Sequence, residues 1–435
     1  MLWPYYIAIA AAIAAALAWK LDAQGKGKSK SPSSAPPRPN DAKDAAEPSL
    51  FIKAHAMSGY ALLIVRGVLL DLLEALVEGL LHGSPLSAKR MSTSTTRGAG
   101  GSRVGPNIWT GWVVFYTRRL YCRIEDCWNR PITGEASSSL ELCVRKRRGY
   151  GDAAPLCMTG QTQRCLNLGS YNYLGFGGVE PLVTPSVISA LREHGACACS
   201  SRAESGDTAV HRKLEAAIAA FLEKPAAVIV GMGFATNSTL IPVMVDPTGN
   251  GKGVLIVSDA LNHSSIVEGV RGSGARVQPF AHNDMAHLEA ILRRATLVGQ
   301  PSGMPWRKII IMVEGIYSME GQFCRLREIV ALKRKYRAYL YLDEAHSIGA
   351  VGPRGRGVTD YLGVPTSEVD VMMGTFTKSF GSVGGYIAAS PELIAQLKRH
   401  SAGFLYAPAM SVPAVQQALS ALEVIMGANE AEAGL

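Results

Sequence analysis

From Leu166 onward, short apolar runs alternate with segments whose apolar residues recur every three or four positions, a pattern that predicts strands and helices in turn. Strands are predicted over residues 226–231, 253–259, 276–280, 308–314, 338–343, 369–376 and 384–389. Helices are predicted over 183–194, 235–244, 264–271, 287–294, 326–336, 391–399 and 412–426. One more helix begins at a cap formed by Asp207 or Thr208 and places Val210, Leu214, Ile218 and Phe221 on one face. Because the strands are apolar almost throughout, the sheet should be mostly parallel and covered on both faces, which is an α/β fold.

The texture upstream is different. Residues 1–20 carry no charge before Lys20, and the run from Tyr5 to Trp19 is apolar and rich in alanine. Lys20, Lys26, Lys28, Lys30 and Arg38 follow it, so the expectation is a membrane anchor with the remainder of the chain in the cytosol. A cleaved signal is the alternative; no basic residues precede the run and no disulfide-like cysteine pattern follows it. Residues 21–48, rich in Pro, Ser and charge, read as a linker.

Residues 49–82 read as an amphipathic, membrane-associated helix, with Asp71, Glu74 and Glu78 on one side. A partner-facing helix or a plain core helix has the same pattern. Residues 83–104 form a second Ser/Thr/Gly-rich linker. Residues 105–165 read as an N-terminal arm, a short helix and an extended stretch, before a catalytic domain over 166–400 and a further C-terminal segment over 401–435.

Charge changes this picture in one respect. The 435-residue chain has a net charge of +9, which suggests nucleic acid until its distribution is counted. Residues 1–150 carry 20 Lys and Arg against 11 Asp and Glu, and the rest carries 24 of each. A basic excess confined to the membrane-proximal third points to an anionic bilayer and not to nucleic acid. The 8 cysteines show neither CxxC nor zinc-type spacing, so they read as reduced thiols, and no metal site is expected.

The candidate chemistry lies where apolar runs stop, since ligands of parallel α/β sheets bind beyond the carboxyl ends of the strands. The run 369–376 turns at Lys378 among Gly374, Ser379 and Gly381, a setting suited to a desolvated Schiff-base amine. The run YLYLD ends in Asp343, with His346 three residues on. Such a carboxylate could hold a proton on a heteroaromatic nitrogen, and the histidine could reach a ring oxygen. Gly231 to Asn237 opens a helix through Gly233 and Phe234, an anion site suited to a phosphate. Asp259 is followed by His263, whose ring could stack on a flat cofactor, and Glu314 by Tyr317 and Ser318. Together these groups suit pyridoxal 5′-phosphate.

The segments LNHSSIVEG, EGIYSMEG, LDEAHSIGAVGPRGRG and GTFTKSFG resemble the α-oxoamine synthases. These are fold-type-I pyridoxal-phosphate transferases, aspartate aminotransferase-like in their large domain, that join an amino acid to an acyl-CoA with loss of carbon dioxide. FYTRRLYCRIEDCWNRPI, GSYNYLGF and GTFTKSFGSVGGYI are similar to the catalytic subunits of the serine palmitoyltransferase branch.

The resemblance implies pyridoxal 5′-phosphate as cofactor and L-serine and palmitoyl-CoA as substrates, giving 3-ketosphinganine at the start of sphingolipid synthesis. It implies Lys378 as Schiff-base lysine, Asp343 as partner of the pyridine nitrogen, His263 as stacking ring and His346 beside the phenolic oxygen. Gly233 and Phe234 would lie on the phosphate side, Ser318 and Thr375 would make further cofactor contacts, and Arg202, Gly206 and His211 would lie near the substrate cleft. It also implies the endoplasmic reticulum membrane, a cytosolic catalytic domain and a homologous non-catalytic partner subunit. A small C-terminal domain bearing a carboxylate-gripping arginine would be largely missing after residue 435. The alternatives are a 5-aminolevulinate synthase or 2-amino-3-ketobutyrate CoA ligase type of enzyme, or a non-catalytic scaffold subunit.

Overall fold

The apolar runs pair much as their composition requires. In a computed structural model, residues 49–82, 115–121, 124–135, 137–149, 155–248 and 250–427 are described. The expected anchor over 1–20 and the linkers over 21–48 and 83–104 lie outside the described residues.

A first, antiparallel sheet contains β1 (Ile132–Thr133), β2 (Ser139–Arg147) and β3 (Leu156–Leu166). The central sheet contains β4 (Ala226–Val230), β5 (Val254–Asp259), β6 (Arg276–Phe280), β7 (Lys308–Glu314), β8 (Tyr339–Asp343), β9 (Val371–Thr375) and β10 (Gly385–Ala389). The helices are α1 (Leu50–His82), α2 (Thr184–His194), α3 (Ala209–Phe221), α4 (Gly233–Val245), α5 (Ser264–Gly272) and α6 (Met285–Val298). They continue with α7 (Leu326–Tyr336), α8 (Val358–Leu362), α9 (Pro391–His400), α10 (Ala402–Leu405) and α11 (Val412–Ile425).

The central sheet runs β4-β10-β9-β8-β7-β5-β6. Along β9-β8-β7-β5-β6 every pairing is parallel, because helical crossovers return the chain to the same edge. β10 is antiparallel to both neighbours, since residues 376–384 alone connect it to β9 and so short a link permits only a hairpin.

Alternation along each strand builds two cores. Ile311, Val313, Leu340 and Leu342 face α2, α3, α6, α7 and α11, whereas Ile310, Met312, Tyr341 and Met373 face α4, α5 and α9. Burial on both faces at roughly 25 cal/mol per Å² of apolar area is what fixes this register, because a one-residue slip would exchange the two sets. The helices keep to their sequence pattern; α6 starts earlier than expected because Asp284 caps it, accepting from the His287 amide at 2.9 Å.

α1 is continuous, and its apolar residues Phe51, Tyr60, Leu62, Val65, Leu69 and Leu73 are all exposed. Leu50–Leu73 is 24 residues long and apolar enough to cross a membrane by length and composition. Part of the arm over 105–165 is described. Its described residues contain a π-helical turn, Tyr116–Tyr121, and the β1-β2-β3 sheet. The β2-β3 hairpin has no clean alternation, and a bulge between Cys143 and Arg145 shifts its register, which is why its pattern is not legible.

Candidate active site

Parallel pairing delivers the ends of β5, β7, β8 and β9 to one edge of the sheet, and with them the polar residues that stop each apolar run. Glu314 pairs with Asp343, and Asp343 pairs with Met373, two residues before β9 ends. The main chain continues the tie beyond the strands: Gly315 N–H donates to Asp343 O at 2.7 Å and Glu344 N–H to Met373 O at 2.8 Å. Residues dispersed over more than a hundred positions thus share one floor.

Asp343 is 4% exposed. Its Oδ2 accepts from Asn237 Nδ2 at 2.9 Å and its Oδ1 from the Ala345 amide at 2.9 Å. Burial pushes its pKa up, and these two donors together with the Lys378 charge oppose that rise. Glu314, also 4% exposed, is pushed up to about 8 by burial and by the Asp343 charge. One of its oxygens accepts the His263 main-chain N–H.

Lys378 sits in the hairpin loop between β9 and β10. Burial lowers its pKa, against the pull of Asp343 and Glu314, so its amine is desolvated beside two carboxylates. Its Nζ lies 5.9 Å from the centre of the Tyr171 ring. The loop and the tyrosine segment meet at Gly381, which has φ +58°. A Cβ there would stand 2.4 Å from Gly177 N and from the Phe176 carbonyl carbon. Glycine therefore permits the close approach that brings Tyr171 and Tyr173 to the site.

His263 caps α5, and its Nδ1 accepts from the Ser265 amide at 3.2 Å and pairs with Ser265 Oγ at 2.7 Å. Phe234 at the start of α4 meets its ring edge-on, with centroids 6.1 Å apart. His346 Nδ1 is 2.8 Å from Tyr173 Oη. Burial, then the charges of Lys378 and His263, lower the His346 pKa to about 4, so this ring is neutral at physiological pH.

α4 begins without a side-chain cap. A Cβ on Gly233 would come 2.7 Å from Thr375 Oγ1, which itself donates to Gly384 O at 2.9 Å. The glycine is thus needed for Thr375 to lie beneath the helix start, leaving an amide-lined cradle for an anion. Ser318 is exposed in the turn after β7, on the same edge. An amine, a buried acid, an exposed imidazole face and an uncapped helix start together fit a flat heteroaromatic ring that carries an anionic group.

Arg202, Gly206 and His211 are held by buried contacts. The side chain of Arg202 is 4% exposed and is bound to Asp207 Oδ1 at 2.6 Å and Glu215 Oε1 at 3.1 Å. Glu215 also accepts from Ile229 N at 3.1 Å and Lys398 Nζ at 2.7 Å. His211 pairs with Thr208 Oγ1 and Met410 O, both at 2.8 Å, and a Cβ on Gly206 would stand 2.5 Å from Ser200 O. All three hold the 200–211 segment to β4, α9 and residues 408–410.

Sequence reasoning missed Asn237, Ser265, Tyr341, Tyr171 and Tyr173 as parts of the site. The two tyrosines come from a loop with no strand end to mark it. Asn237 lies one turn inside α4, in the polar run from Thr236 to Thr239, so its residue type alone did not single it out.

The match to the protein-family model "Aminotransferase class I and II" covers residues 163–433. Long chain base biosynthesis protein 2a of Arabidopsis thaliana is 54% identical over 328 residues, 75% of this chain and 66% of that protein. Serine palmitoyltransferase 3 of Homo sapiens is 47% identical over 323 residues, 74% of this chain and 57% of its own length. The chain therefore spans less than two thirds of these relatives. A solved structure described as SPT with PLP superposes with a TM-score of 0.62 at 27% identity, covering 74% of this chain and 73% of that one.

Proposed function

Because this chain belongs to the class I and II aminotransferase family, we propose that its sheet-edge site holds pyridoxal 5′-phosphate and that it is the lysine-bearing subunit of a serine palmitoyltransferase. The reaction joins L-serine to palmitoyl-CoA and releases coenzyme A and carbon dioxide, giving 3-ketosphinganine. When bound, the cofactor supplies an electron sink for a carbanion at the amino acid's α-carbon.

The chain's own residues have separate tasks in this reading. Lys378 would hold the cofactor through Nζ and would move the proton at the substrate's α-carbon; burial lowers its pKa and so favours the uncharged amine. Asp343 would accept a hydrogen bond from the protonated ring nitrogen and favour its charged form. His263 would cover the ring and neutral His346 would serve its phenolic oxygen. Gly233, Phe234 and Thr375 would hold the phosphate, and Ser318 would add a contact from the β7 turn.

The observation that carries this reading is the meeting of Lys378 with Asp343 at one sheet edge, close enough for each to move the other's pKa. Support for the acyl substrate comes from α1, whose exposed apolar residues suit a bilayer that a long acyl-CoA and a lipid product also enter. The same reading puts the chain on the endoplasmic reticulum membrane, with its catalytic domain in the cytosol, beside a homologous subunit that lacks the lysine.

The test uses the full chain purified with that partner subunit. Borohydride reduction of the PLP-loaded protein should fix the cofactor on the Lys378 peptide, and Lys378→Ala should abolish both the adduct and condensation while leaving membrane attachment. A scaffold subunit would give no adduct, and an enzyme of the 5-aminolevulinate type would turn over glycine and not serine.

A further inference from the structure

Asn237 is 1% exposed, and its carboxamide stands between the two cofactor-facing residues of the preceding reading. The amide nitrogen has two hydrogens and two acceptors: Asp343 Oδ2 at 2.9 Å and Ser265 Oγ at 2.9 Å. The amide oxygen accepts the hydroxyl proton of Tyr341, which is fully buried on β8. That third bond decides the orientation of the amide, because turning it over would put an oxygen against the carboxylate and an NH₂ against a hydroxyl already directed at it.

The order of donors then continues outward. Ser265 Oγ receives from Asn237, so its own proton is available to His263 Nδ1, 2.7 Å away. The Ser265 amide donates to the same ring atom. With Nδ1 an acceptor, the neutral imidazole carries its proton on Nε2. One carboxamide thereby donates to Asp343 and, through the Ser265 hydroxyl, joins the Ser265 main-chain amide in holding the tautomer and plane of His263.

We propose that Asn237 is a positioning residue for the cofactor pair, oriented by Tyr341, which holds the Asp343 carboxylate and the His263 ring in fixed relation to one another. This rests on the preceding reading of the site as a pyridoxal-phosphate pocket. Neither Asn237 nor Tyr341 touches the reacting atoms in this account; they act through Asp343 and His263. An aspartate at 237 would fill the same volume yet set an acceptor against an acceptor, so shape and hydrogen bonding can be separated.

The experiment measures the rate of PLP loss and the visible absorption band of the full chain with its partner subunit, for the wild type, Asn237→Asp and Tyr341→Phe. The expected result is PLP loss about tenfold faster in Asn237→Asp with a displaced visible band, and a smaller change of the same kind in Tyr341→Phe, which removes one hydroxyl and keeps the ring. Tyr341→Phe decides the matter alone if Asn237→Asp does not fold. PLP retention and absorption equal to wild type in folded Tyr341→Phe and Asn237→Asp overturn the proposal while leaving the cofactor reading intact. A wild-type protein that never takes up PLP overturns both.

Discussion

Glu314 and Asp343 occupy paired positions at the ends of adjacent parallel strands, and each is 4% exposed. Two carboxylates buried side by side cannot both ionise cheaply, so the pair shares its protons unequally. Asp343 receives N–H donors on both oxygens, which favour its ionised form against burial; Glu314, pushed up to about 8, holds the proton near neutral pH.

From its ordinary value of 4.5 up to about 8, the folded protein therefore binds a proton at Glu314 that the unfolded chain does not. Wild-type stability should decline across that window as pH rises. Glu314→Gln keeps an acceptor for the His263 amide and removes the charge. Its Tm should exceed that of wild type at about pH 8.5, with the gap closing towards about pH 5; a constant gap would reject the assignment.

His346 gives the opposite slope. Its folded pKa of about 4 lies below the ordinary 6.5, so between those values the unfolded chain binds the extra proton. Stability at this residue is present above 6.5 and is lost as pH falls towards 4. Thermal melts of His346→Asn should show a shallower acid limb than wild type.

Arg202 is paired with two acids, Asp207 and Glu215, in this fold. Arg202→Ala leaves Glu215, whose side chain is 8% exposed, with Lys398 as its remaining cationic partner and should cost about 1–3 kcal/mol of stability. Chemical denaturation of the membrane-detached or detergent-solubilised chain reads this directly. A variant with wild-type stability but altered serine dependence would restore a substrate role for this arginine.

Gly381→Ala adds a methyl 2.4 Å from the backbone of residues 176 and 177, at a φ of +58°. It should destabilise the protein by about 1–3 kcal/mol and move Tyr171 off Lys378. The second effect is checked through the Lys378 pKa, measured by the pH dependence of its chemical modification; loss of stability without a change in that pH dependence would separate the tyrosine from the lysine.

The elements of the central sheet are legible because their determinants are local. Apolar runs such as IIIMVE and YLYLD, and helix faces such as Val210, Leu214 and Ile218, are set by burial period, and the polar residues that end them mark Lys378, Asp343 and His263. α1 is legible as a helix, but not in how much apolar surface it leaves uncovered, since exposure depends on what packs against it.

What only the tertiary structure decided is the meaning of polar residues inside apolar elements. Arg202, in the turn before α3, and Asn237, in the first turns of α4, are both polar side chains whose partners the sequence does not show. One is consumed by two buried acids, and the other stands between Asp343 and Ser265. The sequence determined which groups could do chemistry; the crossing of β8 under α4, with Tyr341 directed at the amide, determined which of them face one another. A buried polar atom takes its role from the partner within 3 Å, and that partner is a property of three-dimensional packing.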